Sequence, residues 1–374
     1  MGLSRLLAAP LLRPVLGLLL ALGLLVATPA TAGAEPVSTQ APLVKGDPVF
    51  GQRLVAGAGR WDPAEVTLAY RWLRGGEPVA GATGRTYDLG LDDLDRRMLV
   101  EVTATDATGA SATVRSEPTE RVRRAPLLVR TPPRVAGVAR FGRAVRVTLG
   151  DVRPTPRVVR VQWLVGGRPV AGERGRTYRV RPGDVGRRVR AEVVLTAPGH
   201  RTVRLRTTPR RAEHRVAVRR TVTYSVQTRG RITTSLATFR RQAQQTYADA
   251  RGWRGSGVRF VPVRRGGSFT LVLAAAGEVP RFSPVCSAQW SCRVGRYVVI
   301  NQERWKHASP AWNAARGALR DYRHMVVNHE TGHWLGRGHA SCGGAGQLAP
   351  VMQQQSKGLG GCRFNPWPTA RELR

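Results

Sequence analysis

Two stretches of this chain say the same thing 91 residues apart. "YRWLRGGEPVAGATGRTYDLGLDDLDRRMLVEV" begins at Tyr70, and "VQWLVGGRPVAGERGRTYRVRPGDVGRRVRAEV" begins at Val161. Trp72 pairs with Trp163, Tyr87 with Tyr178 and Asp93 with Asp184, all at that one spacing. The copies differ at Asp95, where the second has Gly186. A period this long is not that of a solenoid unit that needs its neighbours to bury a face. Within each copy, "TLAYRWL" or "VVRVQWL" alternates apolar and polar side chains, the pattern of a half-buried strand. "GGEP" and "GGRP" supply turns, and "LVEVTATD" and "VRAEVVLTA" read as further strands. Each copy is therefore expected to be a complete β-sandwich with Trp72 or Trp163 between two sheets. Neither copy contains cysteine, so packing alone must hold it.

The first residues are set aside from the fold. Arg5 and Arg13 precede the apolar run "VLGLLLALGLLVA", and "ATAGA" places Ala32 and Ala34 at a small-residue cleavage pattern. This reads as a secretory signal peptide over 1–34, with an uncleaved membrane anchor as the alternative. Either form puts the rest of the chain outside the cytoplasm, which changes the reading of its four cysteines, Cys286, Cys292, Cys342 and Cys362. An even number in an oxidising compartment points to two disulfides. Of the three formal pairings, the local pair Cys286–Cys292 and Cys342–Cys362 is preferred because each joins near neighbours. The second would close a loop worth roughly 3 kcal/mol by chain entropy.

The formal charge is +36, and every basic residue except Lys45, Lys306 and Lys357 is arginine. Such a bias has the look of coding pressure, but its physical effect stands. An exported chain this basic is drawn to anionic surfaces, such as phosphate-bearing cell-wall polymers or a membrane surface of acidic lipid head groups. Nucleic acid is not an expected partner, because the arginines are scattered and no helix-turn-helix, finger or aromatic-interleaved patch accompanies them. The sequence sets no oligomeric state.

The third region, 216–374, has a different rhythm. "TVTYSVQT" is a strand, and Ser235 is placed to cap a helix with Leu236, Phe239, Ala243 and Tyr247 on one face. "GVRFVPV", "SFTLVLAAA" and "RYVVINQERW" read as three more strands. Ser309 and Pro310 then open one or two helices that run into "VVNHETGHWLGRGHASC".

In that last stretch His329 and His333 stand four apart, one turn over the other on a helix face, a spacing that lets two imidazoles hold one zinc ion. Gly336 ends the helix with a left-handed turn and lets His339 return as a third ligand. Glu330 is free to act as a general base toward the attacking water. Three protein ligands leave one position open, as catalytic sites require. A structural zinc site would be closed by a fourth, for which Cys342 is the nearby candidate. His324, five residues before His329, points away from the ligand face and is expected at the surface or behind the ligands. His200, His214 and His307 have no supporting pattern.

"HETGHWLGRGH" resembles the extended zinc signature of the metzincin metallopeptidases, HExxHxxGxxH. The resemblance implies that Met352, in "APVMQQQS" downstream of His339, packs beneath the metal as an apolar floor without coordinating it. It also implies hydrolysis of a peptide or protein substrate laid along a strand edge, for which Ser268–Ala276 is the candidate. Because the segment after Met352 is short, the tail to Arg374 must supply the lower wall of the cleft. The third region from Thr221 to Pro368 is closer still to an uncharacterised family of exported actinobacterial proteins, through "YRHMVVNHETGHWLGRGH", "GAGQLAPVMQQQS" and "CRFNPWP". The two copies, over Ala41–Ser116 and Thr131–Pro209, resemble the immunoglobulin-like repeats of such proteins in their "W" strand, "GxPVAG" turn and "TY…D" segment.

The expected architecture is therefore multidomain: two all-β immunoglobulin-like sandwiches, at 41–118 and 131–209, followed by an α+β metzincin-like zinc metallopeptidase domain at 216–374. The expected function is that of a secreted, zinc-dependent endopeptidase. Two alternatives stand beside it: a catalytically silent, zinc-containing protein that binds the cell wall, and a wall-associated structural protein whose working parts are the sandwiches.

Overall fold

The computed structural model describes residues 34–374. The leader expected over 1–34 lies outside the described residues, apart from Ala34 itself. The chain divides into two compact units that meet between Arg124 and Ala125.

The first unit is a β-sandwich. Of its two main sheets, one has three strands, with Arg53–Gly57 between Leu43–Lys45 and Thr86–Asp88, and one has four, with Thr67–Arg74 and Met98–Thr105 at its centre; Val37–Gln40 and Arg60–Asp62 form a further pair. Trp72, Leu54, Met98, Val100 and Val102 are fully buried between the two main sheets. Strand alternation does this directly, because successive side chains face opposite sides of a sheet.

The second unit begins with the repeat of that sandwich. Val158–Val165 and Arg188–Thr196 pair antiparallel, and Trp163 fills the same place in the core. The equivalence reaches single atoms. The indole N–H of Trp72 donates to the Gly84 carbonyl, and that of Trp163 to the Gly175 carbonyl, both at 2.9 Å. Asp93 and Asp184 are buried carboxylates that accept from a tyrosine hydroxyl and from the backbone N–H three residues before, Gly90 or Arg181. Burial and the neighbouring Asp184 carboxylate push the Tyr178 hydroxyl well above its ordinary pKa. In the first copy, Asp93 also receives Arg74 at 2.6 Å, whereas the second copy has Val165 there. The Asp95 and Gly186 backbones both take positive φ, 62° and 84°. The residue exchange therefore leaves the turn unchanged, as aspartate tolerates this region better than most side chains.

The same unit continues into a five-stranded mixed sheet with helices. In chain order the elements are β1 (Arg220–Arg229), α1 (Leu236–Ala248), β2 (Val258–Pro262), β3 (Phe269–Ala274), β4 (Cys292–Val294), β5 (Tyr297–Asn301), α2 (Gln302–His307), α3 (Pro310–Ala314) and α4 (Leu319–Trp334). The sheet order is β2-β1-β3-β5-β4; the first four strands are parallel and β4 runs antiparallel to β5 at the edge. Ser235 and Ser309 cap α1 and α3, each accepting a backbone N–H. Phe239, Ala243 and Tyr247 of α1 are buried as their spacing requires.

Two sequence expectations are corrected. Ser268–Ala276 is not an edge strand: β3 lies at the centre of the sheet and all six of its residues are buried. Phe269, Leu271 and Leu273 face the helices, while Val272 and Ala274 face the 276–292 segment on the other side. The edges of the sheet are β2 and β4, and β4 is a strand the sequence reading passed over. "RYVVINQERW" is likewise not one strand. It breaks at Asn301, whose side chain accepts from the Glu303 N–H and starts α2.

Candidate metal centre

Helix α4 is buried almost continuously from Tyr322 to Gly332 because it is enclosed on several sides. The sheet and α1 cover one face, and the tail after Met352 covers another. His329 and His333 sit one turn apart near its end, with their Nε2 atoms 3.1 Å apart. At Gly336 the backbone takes φ of 85°, its N–H donating to the His333 carbonyl, and the chain reverses. That reversal brings His339 Nε2 to 3.1 Å from His333 Nε2.

Two of these rings are oriented from behind. His329 Nδ1–H donates to the Val351 carbonyl at 2.8 Å, and His333 Nδ1–H donates to the Arg337 carbonyl at 2.9 Å. Each ring therefore turns an Nε2 lone pair inward. Burial holds all three imidazoles below their ordinary pKa, His329 at about 3, so they are neutral at pH 7. Three lone pairs facing one another repel unless a cation lies among them. Tetrahedral zinc with Zn–N near 2.05 Å requires N···N separations of about 3.3 Å. The donor set and its spacing fit that ion, and the three ligand atoms all lie within 4.8 Å of one another.

Cys342 is not a ligand. It is bonded to Cys362, with a Cα–Cα distance of 5.7 Å, and Cys286 is bonded to Cys292. Both pairings are the local ones expected. His324 also stays away from the centre, but it is not a surface residue. It is buried, sharing a 2.8 Å hydrogen bond with Thr246 Oγ1 and lying against the Trp367 ring. The reason is that α4 has covered faces on both sides, so the position opposite the ligands is also interior.

Met352 is buried, with its carbonyl accepting from the Ala340 N–H just past His339. Its space depends on Gly332. A Cβ there would overlap Met352 Sδ and come 2.8 Å from Cζ2 of Trp253. The turn is held from below by Glu372, whose carboxylate accepts from the N–H groups of Met352 at 2.8 Å, Val351 at 3.1 Å and Thr369 at 2.7 Å. Sequence reading missed both Gly332 and Glu372. "TARE" at 369–372 carried the signal for the second, since it has the Thr-x-x-Glu spacing of a capping box.

Glu330 lines the same cleft as the three histidines, a cavity of about 560 Å³. Burial pushes its carboxyl up to about 8. One wall of the cleft is the stapled loop Cys286–Cys292 leading into β4; the other is Gln354–Lys357, directly after the methionine turn. The short tail thus does build a lower wall. Asn365 anchors it, donating to the Ala349 and Trp367 carbonyls and closing on Gln355.

Residues 194–369 match a family model described as a protein of unknown function (DUF3152). The match runs from the last long strand of the second sandwich through the metal centre. No curated protein matches the chain. Among solved structures, the ICAM-5 D1–D4 ectodomain fragment is 19% identical, over 45% of this chain and 52% of its own length, with a TM-score of 0.25. The chain thus spans about half of that fragment. A Ca²⁺-stabilised adhesin with which an Antarctic bacterium binds ice is 15% identical over 50% of this chain and 52% of its own, at a TM-score of 0.24. A two-domain fibronectin type III segment of chicken tenascin is 12% identical over 45% and 98%, also at 0.24.

Proposed function

We propose that the third region is a metzincin-like zinc endopeptidase of an exported protein. The observation that carries this reading is the convergence of three neutral imidazole Nε2 atoms, two of their rings oriented from behind, with Glu330 lining the same open cleft. Export is supported by two disulfides, which persist in oxidising compartments. Among the described residues no helix is long and apolar enough to cross a membrane.

His329, His333 and His339 would hold the ion. Zinc supplies Lewis acidity there, polarising a carbonyl and acidifying a water molecule. Glu330 accepts the proton of the attacking water and returns it to the leaving amine. The elevated pKa of Glu330 belongs to a site without a cation; a positive charge beside it favours the carboxylate. The peptide lies along β4, whose outer edge has no strand partner among the described residues. The sandwiches hold this domain on its surface, and the charge of +36 favours anionic wall polymers or acidic lipid as that surface.

Metal analysis of the dialysed full chain should find one zinc per molecule. Glu330→Gln should keep the zinc and lower hydrolysis of a peptide library by about 10²–10⁴-fold, the usual worth of general-base assistance. Undiminished hydrolysis in the variant would remove Glu330 as the base. Zinc-loaded wild type that cleaves nothing yet binds wall material would instead favour the silent binding protein.

A further inference from the structure

The cleft has a strong electrostatic character that the metal centre does not account for. Its lining contains one carboxylate, Glu330, and three cationic side chains, Arg293, Arg337 and Lys357. The other acids of the third region have posts elsewhere. Asp249 pairs with Arg251, Glu278 with Arg281, Glu303 with Lys306, and Glu372 holds the methionine turn; Asp321 lies in the first turn of α4.

A basic rim is common on so basic a chain; position is what distinguishes these side chains. Arg293 is the central residue of β4, the strand along which a peptide would pair, and it is exposed. Lys357 projects from the opposite wall and is also exposed. Both line the same cavity as the three imidazoles. Among the described residues neither has an ion-pair partner; Lys357 Nζ donates a 3.5 Å hydrogen bond to Gln354 Oε1 in its own wall. Arg337 is already engaged, donating to the Arg374 main-chain oxygen at 2.9 Å.

We propose that Arg293 and Lys357 form two cationic subsites, one on each wall, that select an acidic peptide, with Asp or Glu side chains flanking the bond over the histidines. Resting on the peptidase reading, this names its substrate class. Two walls of like charge around a cation site disfavour a basic peptide by the same interaction that draws an acidic one.

The test uses zinc-loaded full-length protein and three sets of fluorogenic octapeptides with acidic, neutral or basic residues flanking a common central pair. Cleavage is measured on the wild type, and binding by anisotropy on Glu330→Gln. The acidic set should be preferred over the neutral set by about ten-fold, with two exposed pairs each near the upper end for such contacts. The double variant Arg293→Gln/Lys357→Gln should remove most of that preference, bringing the acidic-to-neutral ratio close to one. Arg160→Gln, on the second sandwich, controls for general attraction by the charged surface and should change nothing. Preferential binding of the acidic set without cleavage would support the subsites while refuting the peptidase reading. Equal handling of all three sets, no binding of any, or a preference that survives the double variant would overturn the proposal.

Discussion

Gly332 is fixed by what lies across from it. It sits inside the histidine motif, yet its role concerns Met352 Sδ and the Trp253 ring, which occupy the volume a methyl group would need. Gly332→Ala should therefore destabilise the third region by roughly 1–3 kcal/mol, the usual cost of overpacking a filled core. It should also weaken zinc retention, because Met352 and His339 are joined through the Ala340 N–H. Denaturation and metal analysis of the same preparation would measure both. His324 carries a pH prediction. Burial holds it down to about 4, with Arg320 and Arg251 opposing its charge and Asp249 and Asp321 favouring it. The unfolded chain binds this proton near pH 6.5 and the folded one only near 4. Between those values the unfolded state holds more protons, so stability falls as pH drops through the window. His324→Gln should flatten that part of the urea-denaturation profile between pH 4 and 6.5; an unchanged slope would show that other groups set it. The convergence of His329, His333 and His339 and the turn at Gly336 were legible because they follow from local spacing, whereas Met352 entered only through the family resemblance. Gly332, Glu372 and the burial of His324 were not legible, since each is set by a segment distant in sequence.

At the scale of elements, the two sandwiches are a natural experiment on one buried carboxylate. Asp93 and Asp184 hold the same turn, but only the first pairs with an arginine side chain. The ion pair is thus an addition to a device that works without it. Asp184→Ala would leave the Tyr178 hydroxyl and the Arg181 N–H without their acceptor, and should destabilise the second sandwich by about 2–4 kcal/mol. Thermal unfolding followed through Trp163 fluorescence reports it; a shift no larger than that of an exposed Asp→Ala control would show the turn is held otherwise. The alternating strands around Trp72 and Trp163 were readable because a half-buried strand states its period. β3 misled because an unbroken apolar run marks a strand covered on both faces, which is the mark of a central position. β4 was too short to announce itself, and α2 began only because Asn301 supplied a cap.

The whole described molecule has three separate main cores, one for each sandwich and one for the region of the metal centre. The core around the metal centre is built wholly from residues of the second unit. The chain 125–374 should therefore bind zinc as tightly as the full protein; a large loss of affinity would mean that the first sandwich shapes the site. The Cys342–Cys362 bond joins the segment just past His339 to the tail just past the methionine turn, with Met352 inside the loop it closes. Before that bond forms, the third ligand and the floor are tied only by ordinary hydrogen bonds. On the reading proposed above, the reduced chain should hold the ion less tightly than the oxidised one, which metal analysis with and without reductant would measure.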